Sequence, residues 1–285
     1  MGNLAEDTAV EGADGRYTAT FGSDWNIWGP NGGYVAAVAL RAAGVHSEFP
    51  RPASILCHYL GVAAFEPVDI EVVSLRKAKR AESVRVSIRQ GGNPIAEAMV
   101  WCIADEMAGL VHDAATTPDV PPPSQLKSMR QHLEENGVEQ PQSFIFWDNF
   151  DDRLPAWMPW EEWANREVLE PHVNRWLRFK PQATFDDPFV DACRSVILID
   201  TFQWPAAVGA HRPDSLTYVA PSLDLAVSLH DLDPSSEWLL VDAVSPIARD
   251  GLVGGQASVW SESGKLLASG GQQMLCRPAP PQPPR

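Results

Sequence analysis

Val68-Asp69-Ile70-Glu71-Val72 and, a turn later, Ser83-Val84-Arg85-Val86-Ser87-Ile88-Arg89 alternate apolar with polar side chains, the period of half-buried antiparallel strands. Gly91-Gly92-Asn93-Pro94 predicts a hairpin turn into a last strand, Ile95–Ile103. The pattern returns at a constant offset of 171 residues. Ser74 then falls opposite Ser245, Ser87 opposite Ser258, Ile88 opposite Val259 and Ile95 opposite Leu266, and the turn maps onto Glu262-Ser263-Gly264 without a gap. A repeat of this size divides the chain into two copies of one unit.

Working outward, each copy begins with a helix. After the turn-rich Gly29-Pro30-Asn31-Gly32-Gly33, the Ala-rich stretch Tyr34–Val45 is apolar nearly all round, as a helix buried on most sides must be. Its counterpart is Asp187–Phe202, capped by Asp186 or Asp187. The strands Ser54–Leu60 and Ser222–Leu229 follow the two helices. One long buried helix followed by a meander of strands, twice, is an α+β fold. Proline marks the seams: Pro121–Pro123 belong to a linker over 111–140, and five prolines in the last eight residues predict a disordered tail over 278–285. That leaves 1–110 and 141–277 as the two units, with Met1–Val10 read as a mobile start.

Composition narrows the function. With 22 basic and 37 acidic side chains the formal charge is −15, which disfavours nucleic acid as a partner, because polyanions are bound through clustered Lys and Arg. Between Asp105 and Asp187 stand 16 acids and 7 bases, so most of the excess lies in the middle of the chain. No apolar run approaches the roughly 18 to 20 residues that span a bilayer. Cys57, Cys102, Cys193 and Cys276 are far apart and the seven histidines show no ligand spacing, so no disulfide framework and no metal are implied, and a reducing cytoplasm is the expected compartment. There is no G-x-S-x-G elbow for a covalent serine, no G-x-G-x-x-G and no P-loop.

The order of motifs resembles the double hot-dog fold of the acyl-CoA thioesterase II family and its thioesterase-like relatives. In the first half the resemblance rests on Gly29–Tyr34, Cys57-His58-Tyr59-Leu60, Ser74-Leu75-Arg76 and Gly92–Ile95. In the second it rests on Asp200 closing the apolar helix, Ser222-Leu223-Asp224, Glu237–Leu240, and Leu267-Ala268-Ser269 followed by Gln272. It implies that Asp200, Ser222 and Gln272 orient and activate one water for attack on a fatty acyl-CoA thioester, without a cofactor. It also implies a small-molecule acyl-CoA as partner, and leaves open whether double hot-dogs assemble into a homo-oligomer. The family has Thr where Ser222 stands, and Asp-His-Ser where this chain has Asp224-Leu225-Ala226.

Several assignments stay open at this point. A one-residue slip exchanges Gln272 for Gln273 on the strand face. Asp224, two residues from Ser222 on the same face, could assist or replace Asp200. Gly32 and Gly33 fit an oxyanion hole at a helix N-terminus, or merely a tight turn. Arg76 and Lys77, in Arg76-Lys77-Ala78-Lys79-Arg80, are a candidate contact for CoA phosphates or else a solvated hairpin edge. Trp147, Trp157, Trp160, Trp163 and Trp176 either pack or wall an acyl tunnel, while Trp25 and Trp28 stand nearer a ligand at the Gly-Gly turn. The alternatives to a thioesterase are a non-catalytic acyl-CoA or lipid binder and a hot-dog hydratase or dehydratase, for which Phe185 and Val190 stand where catalytic Asp and His would be.

Overall fold

The computed structural model describes residues 1–105, 107–139 and 144–279, without the side chain of Trp160. In chain order the elements are α1 (Leu4–Asp7), β1 (Glu11–Ala13), β2 (Arg16–Thr20), α2 (Gly32–His46), β3 (Arg51–Tyr59), β4 (Pro67–Lys77), β5 (Ala81–Gln90) and β6 (Asn93–Ile103). There follow α3 (Met129–Glu135), β7 (Phe150–Arg153), α4 (Trp160–Asn165), β8 (His172–Phe179) and α5 (Pro188–Gly209). The chain closes with β9 (Tyr218–Val219), β10 (Asp224–Leu229), β11 (Trp238–Arg249), β12 (Leu252–Ser261), β13 (Leu266–Leu275) and β14 (Arg277–Pro278).

Twelve strands form one antiparallel sheet in the order β1-β2-β4-β5-β6-β3-β10-β13-β12-β11-β8-β7, six from each half. The order is the same read inward from either end, so a pseudo-two-fold runs through the central β3–β10 pair, where Ile55 faces Val227 and Leu56 faces Ala226. The 171-residue repeat holds in register across the first two strands of each meander: Ile70 pairs with Ile88, and Val241 with Val259. Even the bulge is copied, between Ser74 and Arg76 and between Val244 and Ile247.

The last strand departs from that offset. Ser87 pairs with Glu97, but its counterpart Ser258 pairs with Ser269, so β13 stands 172 residues after β6. The cause is the hairpin. Two glycines join β5 to β6, whereas three residues, Glu262-Ser263-Gly264, lie between Ser261 and Lys265, which are bonded N–H to O at 3.0 Å.

The helices α2 and α5 cross inside the sheet. Asn31 caps α2 by accepting from the Tyr34 N–H, and Asp187 caps α5 by accepting from the Phe189 and Val190 N–H groups. Counted from these caps, Ala37 and Cys193 are equivalent, and the Cys193 thiol lies 3.5 Å from the Ala37 carbonyl, which puts the pseudo-axis at that contact. So close a crossing needs small residues. A Cβ on Gly33 would stand 2.7 Å from the Ile197 Cα, and one on Gly44 would stand 2.5 Å from the Phe189 ring. The expected end of the second helix, Phe202, is the position equivalent to the end of α2, but α5 runs on to Gly209 with Pro205 inside it. Those extra turns bury Ala207 against Ala220, Val253 and Met274, and the gain in apolar burial outweighs the hydrogen bond that Pro205 removes.

Three other expectations change. The start of the chain is not loose: Leu4 is buried, the Gly2 N–H donates to Asn149 Oδ1 at 2.8 Å and the amino terminus pairs with Asp24. The proline segment is strapped to the outside of the second half, where Pro121 O accepts from Trp176 Nε1 at 3.0 Å and Val120 and Leu126 cover Trp176, Leu240 and Trp260. Of the expected tail, Pro278 pairs with Tyr218, continuing the pairing of Arg277 with Val219, and residues 280–285 lie outside the described residues. Trp147 packs on Phe146, Phe150 and Phe202, and Trp157 stacks on His132.

Because the obstacle to a side chain at position 33 is backbone, Gly33→Ala is expected to lower stability by about 1–3 kcal/mol despite alanine's better helix propensity. Urea unfolding measures this; an alanine variant as stable as the parent would mean that the helices can part without cost.

Candidate active site

The helix crossing brings one carboxylate of the second half to the start of the first half's helix. Asp200 lies in α5, one face removed from Phe202, and only 7 % of it is exposed. Its Oδ2 accepts from the Gly33 N–H at 2.8 Å and from Asn31 Nδ2 at 3.1 Å, and its Oδ1 accepts from Ser222 Oγ at 3.1 Å. Burial lifts its pKa to about 6; the Gly33 amide, Ser222 and Asn31, in that order, restrain the rise. It is therefore a buried carboxylate poised near neutrality, the position a general base needs. Asp200 does not close the helix against solvent: α5 continues past it to Gly209 and the residue is buried.

Ser222 and Gln272 complete the cluster. Gln272 Nε2 donates to the Asp200 backbone carbonyl at 2.9 Å, which fixes its amide so that Oε1 faces Ser222 Oγ, 2.9 Å away. Its own N–H donates to Gln203 Oε1, tying the β13 register to α5, and Gly255 leaves the room that the Gln203 side chain occupies. The question of Gln272 against Gln273 is decided by the longer hairpin. Under a strict offset of 171, position 273 would match the buried Cys102 and position 272 the outward Trp101. The added turn residue shifts β13 by one, so Gln272 is buried and Gln273 faces solvent. Ser222 has one proton for two acceptors, so either Asp200 Oδ1 or Gln272 Oε1 keeps a lone pair that a water can satisfy.

The two glycines have different tasks. The Gly33 N–H is already spent on Asp200, so of the expected pair of oxyanion amides only the Gly32 N–H, with no protein partner among the described residues, remains free. A Cβ on Gly32 would lie 3.0 Å from Asp200 Oδ1 and 3.2 Å from Tyr59 Cζ, so its absence opens the space between that carboxylate and that ring. Sequence reading treated Asn31 as a turn residue and Tyr59 as part of a motif; both belong to the site. Asn31 does two jobs at once, its Oδ1 capping α2 and its Nδ2 holding Asp200. An Asn cap aimed at an acid 169 residues away has no local signature.

Other candidates are placed elsewhere. Asp224 does not join Asp200: Leu225, Val227 and Leu229 point inward, so Asp224 faces the outer side, where it accepts from the Gln273 N–H at 2.9 Å. Ser222 precedes that strand in an isolated bridge to Met274, and the alternation does not extend back to it. Trp25 is fully buried, stacked on Tyr34 and bonded to Asp7, a core residue and not a ligand contact. Trp28 is 52 % exposed and meets Phe144 edge-on. Arg76 and Lys77 lie at the far end of α2, where Lys77 pairs with Glu48 at 2.7 Å and His46 approaches Ser74. The helix length puts them about 20 Å from Gly32, so the structure does not bring them to Asp200.

A concavity of about 1010 Å³ is an open groove on the solvent face of the central strands, lined by Asp224, Gln272 and Gln273 among others and not by Asp200. Among the described residues no group of His, Cys, Asp and Glu is arranged to hold a metal ion, and no helix is long and apolar enough to cross a membrane.

Comparison with known proteins agrees with this architecture. Residues 21–103 match the acyl-CoA thioesterase N-terminal domain and residues 118–276 the acyl-CoA thioesterase C-terminal domain. Among solved structures the chain is similar to the acyl-CoA thioesterase II TesB2 from Mycobacterium marinum, at 22 % identity over 97 % of this chain and 99 % of that one, with a TM-score of 0.77. It is similar to a tesB protein of Mycobacterium avium subs paratuberculosis at 21 % identity, 96 % and 98 % coverage and a TM-score of 0.77. A conserved protein of unknown function with a hot dog fold from Alicyclobacillus acidocaldarius gives 22 % identity, 97 % and 98 % coverage and the same TM-score, 0.77. At these identities the likeness is one of fold.

The raised pKa of Asp200 has a sign. Between about pH 4 and pH 6 the folded state binds the extra proton, so Asp200 weakens the fold as pH rises and its cost levels off above about 6, at about 3 kcal/mol. Asp200→Asn removes the titration. Urea unfolding of both proteins at pH 4.5 and pH 7.5 is expected to show the variant gaining on the parent at the higher pH; an unchanged difference would place the Asp200 pKa near its ordinary value.

Proposed function

We propose that this chain, which belongs to the acyl-CoA thioesterase family, hydrolyses fatty acyl-CoA thioesters with Asp200 as general base and Ser222 and Gln272 as the groups that orient the water. The observation that carries the reading is the buried Asp200 carboxylate, held by three donors and still raised to about 6. A protein that only bound acyl-CoA would gain nothing from the cost of burying that acid. Phe185 and Val190, which stand where a hydratase or dehydratase would need Asp and His, are core residues.

In this mechanism a water donates one hydrogen bond to Asp200 Oδ1 and another to Gln272 Oε1, and Ser222 Oγ lies between the two acceptors. The water oxygen bonds to the thioester carbonyl carbon while its proton passes to Asp200, and the carbonyl electron pair moves to oxygen beside the Gly32 N–H. Collapse of this intermediate breaks the C–S bond. The thiolate of CoA takes the proton from Asp200, leaving free CoA, a carboxylic acid and the carboxylate restored. Four free cysteines, three of them buried, fit action in a reducing cytoplasm.

Thiol release from short-, medium- and long-chain acyl-CoAs tests the reading. The parent is expected to release thiol from at least one chain class, and Asp200→Asn to be slower by about 100- to 10,000-fold. No release by the folded parent from any of the three would remove the hydrolase reading, and undiminished release by the variant would remove Asp200 as base. Because the base must be ionised, kcat/KM is expected to rise tenfold per pH unit up to about pH 6 and then level off; a rate that falls through that range would contradict it.

A further inference from the structure

Tyr59 ends β3 on its inward face, and its backbone N–H donates to the Leu223 carbonyl at 3.0 Å, beside Ser222. Its ring reaches the gap left by Gly32: the Cβ position of Gly32 is 3.2 Å from Tyr59 Cζ and 3.0 Å from Asp200 Oδ1, so ring and carboxylate flank one small space. The phenol oxygen is buried; no oxygen or nitrogen bonds it, and the group beside it is the Cys57 thiol, a weak hydrogen-bonding partner. Leaving a buried hydroxyl unpaired costs free energy, and a phenylalanine would fill the same volume without that cost. The Gly32 N–H, aimed outward from the start of α2, is the other donor near that space without a protein partner.

Resting on the hydrolase reading, the geometry points to Tyr59 as the second oxyanion donor: its O–H and the Gly32 N–H together receive the thioester oxygen as the water attached to Asp200 adds to the carbonyl carbon. This supplies the donor that Gly33 cannot, since the Gly33 amide is engaged by Asp200. No proton leaves Tyr59 in the step. Burial, and then the Asp200 charge, hold its pKa well above the ordinary phenol value, so it stays a donor throughout the pH range in which Asp200 is ionised. Asp200 and Tyr59 thereby divide the work. One acts on the water and the other on the carbonyl, both bordering the space that Gly32 leaves open.

Tyr59→Phe removes one oxygen and keeps the ring. It is expected to lower kcat by about 100-fold on the best acyl-CoA of the panel, the cost of one oxyanion donor, while KM stays within about twofold and the melting temperature is unchanged or higher. A kcat within twofold of the parent would overturn the assignment, and so would a loss of kcat accompanied by a lowered melting temperature. The carbonyl stretch of a bound, non-hydrolysable acyl-CoA ketone gives a second readout, independent of turnover: it should lie at lower frequency in the parent than in Tyr59→Phe. If the parent released no thiol, the hydrolase reading would fail by itself, and this frequency would then decide Tyr59, an equal value in both proteins overturning it.

Discussion

The Gly33 N–H to Asp200 Oδ2 hydrogen bond, 2.8 Å long, is the contact on which the site depends, and it exists only because two helices cross at backbone distance. Helices packed through ordinary side chains stay about 8–10 Å apart, and no main-chain amide of one could then reach a short acid on the other. Small residues at the crossing, Gly33, Ala37, Gly44 and Cys193, remove that limit. The sheet around them supplies the apolar cover that makes the crossing stable. It also makes the acid costly, because Asp200 is removed from the bulk water that would solvate its charge. Helix approach, burial and raised proton affinity are thus one constraint seen at three levels.

The pseudo-two-fold shows how that constraint is used once and refused once. Counted from the helix caps, Gly33 corresponds to Phe189 and Asp200 to Gly44. At one end of the crossing a carboxylate lies over a glycine; at the other a phenyl ring lies over a glycine, 2.5 Å from where a Cβ would stand. The remaining positions follow suit: the buried Pro52, paired with Cys102 as Ser222 is bridged to Met274, stands opposite Ser222, and the fully buried Val100 opposite Gln272. The second end is therefore packed hydrophobic core. Duplication gives the chain two geometrically equivalent places, and a buried acid stands at only one of them.

Much of this was legible in the residues, for definable reasons. Strand periodicity and the repeat expose the meander of each half because side-chain alternation is local and because the two copies constrain each other. The helix cap at Asp187 was equally readable. What escaped was set by tertiary contacts. α5 passes Pro205 because Ala207 finds Ala220, Val253 and Met274 to bury against, which no local rule contains. Met1–Val10 reads as loose because its anchor, Asn149, lies 147 residues from Gly2. Asp224 faced the wrong way because the strand begins two residues after Ser222, and strand alternation applies only within a strand.

The proton affinity of Asp200 is best understood as a balance between burial and donors. Burial alone would keep the acid protonated and useless as a base at neutral pH; each hydrogen bond to its oxygens favours the charged form and lowers the pKa. Three donors bring it to about 6. A fourth strong donor, a lysine or arginine, would return it to the ordinary carboxylate range and make it a weaker base, so the absence of a cation among its hydrogen-bond partners is part of the design. The same logic explains why Tyr59 must not bond to Asp200. A phenol donating to the carboxylate would depress its basicity and occupy the oxygen the water needs, whereas a phenol kept off the carboxylate, beside the Gly32 gap, leaves both the base and the electrophilic donor available to the substrate.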